Sequence, residues 1–205
     1  MASKIIVDQL EKTGGTLTAL TLPSANATAN QYIKNDGAGA LSWATLPGSG
    51  KVLQVVSVPI SSITVTTTSA TYVDIAGMTL DITPSATTSN VLIQITMNIA
   101  GSSAGVMGVV RLLRDTTPIF IGDQADSNRS RGMFTHRDYS FQSLPNYSAT
   151  FLDEAISTTS ATTYKLQWAV ETGGYSVLLN VANAGSDILK YGTTVSSITL
   201  MEIGV

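Results

Sequence analysis

From Lys51 onward the apolar and polar residues alternate with a period of two. Val91, Ile93, Ile95, Met97 and Ile99 alternate with Leu92, Gln94, Thr96, Asn98 and Ala100, which gives a strand with one strongly apolar face. Tyr164, Leu166, Trp168 and Val170 repeat the pattern, and so do Val177, Leu179 and Val181. Between residues 72 and 83 the parity changes. Val73 and Ile75 are odd, whereas Met78, Leu80 and Ile82 are even. The switch falls at Ala76-Gly77, where an inserted β-bulge would return the side chains to the same face. About nine or ten strand candidates follow one another between residues 52 and 204, at roughly the 8–12-residue spacing of sandwiches and jelly rolls. No ten-residue stretch carries a helical stripe. The expected fold is all-β: a jelly-roll-like β-sandwich over residues 51–205.

Residues 1–50 follow a different pattern. Short apolar fragments (Ile5, Ile6, Val7 and Leu10, then Leu17, Leu20 and Leu22) are broken by Gly14-Gly15, Pro23 and a run of small residues. One compact unit follows. Gln31 to Lys34 and Ala40 to Trp43 flank Asn35-Asp36-Gly37-Ala38-Gly39, the signature of a hairpin whose turn needs positive φ. So few large apolar side chains cannot offset the ordering entropy of the segment alone. It is therefore either disordered or ordered by wrapping around other chains, an extended arm with a hinge at Pro47 to Gly50. Met1 to Leu10 show no signal-peptide core or cleavage site.

Composition sharpens the picture. Charged residues make up 12% of the 205 residues, about half the usual ~25%, and Ser and Thr fill about a quarter of the chain. Thr suits a half-buried pleated face. Mean hydropathy is +0.23, yet no run approaches the ~18–20 apolar residues of a membrane span. Apolar strand faces covered by partner subunits are the expected consequence. The net charge of −3 argues against nucleic acid, which selects a basic footprint. The absence of cysteine removes disulfides and thiolate metal sites.

The charges are unevenly placed. Only Asp74 and Asp81 lie between Val52 and Val110, whereas Arg111, Arg114, Asp115, Asp123, Asp126, Arg129, Arg131, Arg137 and Asp138 crowd the next stretch. His136, the single histidine, is there too, and Tyr139, Phe141, Tyr147 and Phe151 follow. Arg129, Arg131, His136, Arg137 and Tyr139 are the candidate partner or ligand contacts, since Arg and Tyr are enriched at interfaces and suit stacking on sugars. The favoured reading is plainer: the opposite charges pair with each other.

Catalysis finds little support. A hydrolytic triad would have to use His136, and no Gly-x-Ser-x-Gly elbow occurs. His136-Arg137-Asp138 imitates a kinase catalytic loop, but Ser143 stands where Asn is needed. Gly48-Ser-Gly-Lys51 hints at a phosphate loop, but Val52 and Thr45 occupy two required positions. One histidine and no cysteine make zinc improbable. The spacing of Asp115, Asp123, Asp126 and Asp138 fits no calcium loop. No enzyme activity, cofactor or metal is expected.

Two sets of residues carry a resemblance. Thr21 to Trp43, with its Leu22-Pro23 pair, Ala29-Asn30-Gln31 and Lys34-Asn-Asp-Gly-Ala-Gly39 followed by Leu41 and Trp43, resembles a short unit of tail fibres and appendages of tailed phages, cyanophages among them. Thr67 to Pro84, Arg111 to Asp115, Thr158 to Tyr164 and Ile198 to Ile203 resemble parts of a β-sandwich domain of phage structural proteins. The resemblance implies a virion protein, a homotrimer whose N-terminal arms intertwine and dock on the major capsid protein or another virion protein. Ile5, Val7, Leu10, Leu20, Leu22, Tyr32 and Trp43 would be the anchoring residues. Closed cyclic symmetry would also bury the apolar faces; a dimer would serve that purpose equally, and three comes from the resemblance. Long fibres carry many such units and this chain has one, so a capsid cement or decoration protein is expected first. A fibre tip recognising a host surface glycan comes second.

Overall fold

The computed structural model describes residues 9–10, 20–45, 50–124, 128–140, 142–154, 156–171, 174–182 and 191–205. The chain divides into two compact units, Met1–Gly48 and Ser49–Val205.

In the first unit, β1 (Gln9–Leu10) and β2 (Leu20–Thr21) pair antiparallel, and β3 (Gln31–Asn35) and β4 (Leu41–Thr45) form the expected hairpin. Its turn is built by side chains that imitate backbone acceptors. Asp36 Oδ1 accepts the amides of Ala38 (2.8 Å) and Ala40 (3.0 Å), and Asn35 Oδ1 accepts that of Gly37 (2.6 Å). Gly37 and Gly39 take φ of +87° and +99°, a region closed to most residues. The Ala38 amide, then that of Ala40, holds the Asp36 carboxyl below its ordinary range.

The second unit holds eleven strands among the described residues: β5 (Val52–Ile60), β6 (Thr66–Thr67), β7 (Val73–Ile82), β8 (Asn90–Gly101), β9 (Met107–Arg114), β10 (Thr117–Ile119), β11 (Phe134–Arg137), β12 (Asn146–Asp153), β13 (Thr162–Val170), β14 (Val177–Leu179) and β15 (Ser196–Ile203). Eight of them form nested antiparallel pairs. β5 pairs with β15, β7 with β13, β8 with β12, and β9 with β11. Successive pairs alternate between two sheets, and β15–β8 and β13–β9 contacts complete each sheet. One long hairpin folded up in this way is a jelly roll. Short β14 pairs with Ile99–Gly101, beyond the point where β15 stops at Thr96, and β6 pairs with β14.

The parity change in β7 is real, but it is larger than one residue. Lys165 pairs with Thr79 and Gln167 with Asp74, a step of two residues on β13 against five on β7. Three extra residues, like one, flip the parity, which is why the pattern located the irregularity without giving its size. Gly77 sits inside it at φ +84°, and a Cβ there would lie 3.2 Å from Ile60 Cγ1.

The core lies between the sheets. Val91, Ile93, Ile95, Met97 and Ile99 of β8 face Val110 and Leu112 of β9 and Tyr164, Leu166 and Trp168 of β13, all buried in one cluster. Trp168 is thus a core residue, as its alternation implied. Gly132 lets its loop lie against β9, since a Cβ there would collide with Val109 Cγ2 and with Val110 O. Met133 N donates to Val110 O at 2.7 Å and fixes that approach.

Candidate interaction surfaces

The charges of the five-stranded sheet (β7, β9, β10, β11 and β13) point mainly outward, where several are linked in a series of contacts. Cross-strand register puts Asp74, Gln167 and Arg111 in a row. Lys165 Nζ donates to Asp74 Oδ2 at 2.9 Å and Gln167 Nε2 donates to Asp74 Oδ1 at 2.6 Å. The Gln167 bond first, then Lys165, holds the Asp74 carboxyl below its usual range. Arg111 Nε and Nη2 donate to Gln167 Oε1 at 2.9 and 2.6 Å, and its guanidinium lies 3.7 Å from the centre of the Tyr72 ring. Tyr72 in turn donates its hydroxyl to Arg131 O at 2.6 Å. Burial raises the Tyr72 phenol, and the Arg111 charge opposes that rise. Thr163 Oγ1 donates to Asp81 at 2.7 Å.

The sequence led us to expect that these charges neutralise each other, and the structure changes the partners. Arg111 is satisfied by an amide and a ring, and Arg131 Nε by the Gly122 carbonyl at 2.7 Å. Arg137 lies over the Tyr139 ring at 5.3 Å. Arg114 does form an ion pair with a carboxylate, and its partner, Asp153, comes from β12.

Of the five candidate contacts, Arg129, Arg131, Arg137 and Tyr139 are exposed, Tyr139 at 81%. His136 is not. It lies fully buried on the inward face of β11, beside Phe134, with Nδ1 3.1 Å from the Tyr147 hydroxyl. Burial lowers its pKa, and Asp138 only partly opposes that. Its expected place on a contact surface is therefore corrected: Phe134 and His136 share the face that period two assigns to the core. Asp138 is buried as well, accepting Gly101 N (2.8 Å), Ser140 N (2.9 Å) and Ser143 Oγ (2.7 Å), so its carboxylate anchors a loop. Asp115 is occupied by Thr163 N at 3.0 Å.

A groove of about 640 Å³ opens on this sheet, with Asn128, Arg129, Ser130, Thr135 and Glu171 above a floor that includes Val109 and Ala169. It offers donors and acceptors over small side chains.

The outer face of the six-stranded sheet is its opposite. Register aligns Leu152, Leu92, Met201 and Val55 in one row across β12, β8, β15 and β5. Thr150, Gln94, Thr199 and Ser57 form the next row, and Ser148, Thr96, Ser197 and Pro59 the third. On the other side of the apolar row, Asn90, Ile203 and Val52 align. None of these residues is charged. The two charged residues in the strands of this sheet, Asp153 and Glu202, both point inward and are buried.

Each of those buried carboxylates has a built environment that the sequence did not signal. Asp153 takes Arg114 Nη1 at 2.7 and 2.8 Å and the Tyr164 hydroxyl at 2.7 Å, which ties one sheet to the other and pushes the phenol's pKa up, burial being the larger cause. Glu202 accepts Ser85 N (2.7 Å), Ser85 Oγ (2.6 Å), Ser89 Oγ (2.7 Å) and Gln54 Nε2 (2.7 Å). Burial alone would raise its pKa; the bonds outweigh that and bring it down to about 2. A third buried network links Ser196 Oγ to Asn180 Oδ1 (2.6 Å) and Asn180 Nδ2 to Ile60 O (2.7 Å). Most of these bonds join residues far apart in sequence, so no local spacing announces them.

Of the anchoring candidates, Ile5 and Val7 lie outside the described residues. Leu10 stands opposite Leu20 in the β1–β2 pair. Leu20 and Leu22 are half-buried, and Tyr32 is exposed. Trp43 is half-buried and donates Nε1 to Ala25 O at 2.6 Å.

No protein-family model matches the chain, and no curated protein matches it. Among solved structures, it is similar to the infectious bursal disease virus VP2 subviral particle, with 11% identity and TM-score 0.37 over 94% of this chain and 49% of that one. The structure of the Gt strain of that virus gives 8% identity and TM-score 0.38, covering 95% and 48%. The chain spans about half the length of these structures. Superposition this loose carries no argument about detail or role, and the all-β fold rests on the strand pairing itself.

Proposed function

We propose that the protein is a structural component of a phage virion, a homotrimeric capsid cement or decoration protein held to the shell by its N-terminal unit, with no catalytic role. A jelly roll suits this work without implying it, because the same fold serves many functions. The observation that carries the reading is the small N-terminal unit. Its hairpin leaves Tyr32 and Ile33 40% and 50% exposed, apolar surface of the kind that partner subunits cover, and the hairpin lies within the stretch that resembles the appendage unit. In a particle, Leu10, Leu20, Leu22, Tyr32 and Trp43 of this unit make the shell contacts. Deleting residues 2–45 tests this. Particles assembled with the truncated chain should lack it and should still adsorb to host cells. Incorporation at the normal level would overturn the reading.

A second reading, a fibre tip that binds a host glycan, draws on the outward-facing Tyr139 beside Arg137 and on the groove around Arg129 and Thr135. Purified protein that blocks adsorption would favour it over the first.

A further inference from the structure

We infer that the uncharged outer face of the six-stranded sheet is where a second copy of this chain packs, along the row Leu152, Leu92, Met201 and Val55. This deepens the homo-oligomer reading above by naming its surface, and it rests on that reading. An antiparallel sheet that faces water normally alternates apolar inward and polar outward. Here the outward positions of one whole row, and Ile203 and Val52 beside it, are apolar. Val55 is 55% exposed and Leu152 38%.

Charge selects a copy of the chain as the occupant, and two further features set how strongly it binds. Each chain carries −3, so two copies repel overall, and contact is cheapest where neither side presents a charge. This face presents none, whereas the opposite face carries Asp74, Asp81, Lys165 and Arg111. A differently charged partner would find nothing here to select it. One is desolvation. Ser57 Oγ and Thr199 Oγ1 already bond each other at 2.7 Å, so covering them strands fewer polar groups than covering free hydroxyls would. The other is area. Four strands ~4.8 Å apart and four rows ~7 Å apart give roughly 500 Å² per copy. That is below the ~800 Å² per partner of a stable complex. Association through this face alone is therefore weak and concentration-dependent, and a stable oligomer adds contacts elsewhere. The β12 half and the β5 half are both neutral, so the face accepts two-fold or cyclic packing.

The test uses the full chain. Sedimentation over a range of concentrations is compared for wild type, the double variant Val55→Lys with Leu152→Lys, and the control Thr79→Glu on the charged face. All three positions are exposed, and thermal unfolding confirms that the fold is kept. Wild type and control should associate, and the double variant should weaken association by about tenfold or more. Association unchanged in the double variant overturns the face while leaving the oligomer reading intact. A wild type that stays monomeric at high concentration overturns both, and incorporation of the double variant into particles then reports separately on the virion reading.

Discussion

The two sheets of the jelly roll place most of their charges on opposite sides. In the five-stranded sheet, Asp74, Asp81, Arg111, Lys165 and Arg137 stand on the outer face, where most are tied to neighbouring side chains. In the six-stranded sheet the only strand charges, Asp153 and Glu202, are inside. Water stabilises the first set cheaply. The second set has lost its water and persists only because the protein supplies every hydrogen bond instead. A charge can therefore have a quite different energy, depending on the face it occupies.

The largest effect should come from the buried ion pair between the sheets. Asp153→Ala leaves the Arg114 guanidinium, 22% exposed, and the buried Tyr164 hydroxyl without their acceptor. Breaking one partner of such a pair costs about 3–5 kcal/mol, and urea denaturation at neutral pH would register it. A loss below ~1 kcal/mol would mean that this interior charge behaves like an exterior one, and the contrast between the sheets would fail there.

Glu202 offers a gentler probe, since acid switches it without a mutation. Its folded pKa is lowered from 4.5 to about 2, so its stabilising effect is complete above the unfolded value and is lost as the pH falls from about 4.5 towards 2. The full shift corresponds to on the order of 3 kcal/mol. Wild type should lose that much more stability than Glu202→Gln across the window, as read by denaturation at pH 7, 4.5, 3 and 2. Parallel curves for the two proteins would show that the Ser85, Ser89 and Gln54 donors are not holding a charge.

Much of this contrast was legible in the chain. The alternation in β8 and β13 fixed their inward faces, the parity switch found the bulge at Gly77, and Asn35 to Gly39 marked the hairpin turn. The same period also held a signal that charge counting obscured: Phe134 and His136 share one parity, as do Val110, Leu112 and Arg114, and each set points into the core. What no local pattern could supply was the partner across the sandwich. Arg114 meets Asp153 at a separation of 39 residues, and Gln54 meets Glu202 at 148. Neutral acceptors such as Gln167 escaped for another reason, since a count of charges is blind to amides.

The smallest effect belongs to the outer face. Lys165 and Asp74 are 23% and 51% exposed as side chains, and a pair open to water contributes ~0.2–1 kcal/mol, screened by salt. Lys165→Met keeps the stem that covers the sheet and removes only the ammonium. Asp74 retains its bond from Gln167, so the loss in denaturation should be under ~1 kcal/mol at low salt and should vanish near 1 M salt. A salt-independent loss comparable to that of Asp153→Ala would place the energy of this face in buried interactions, and the distinction between a wet charged surface and a dry charged interior would then have to be abandoned.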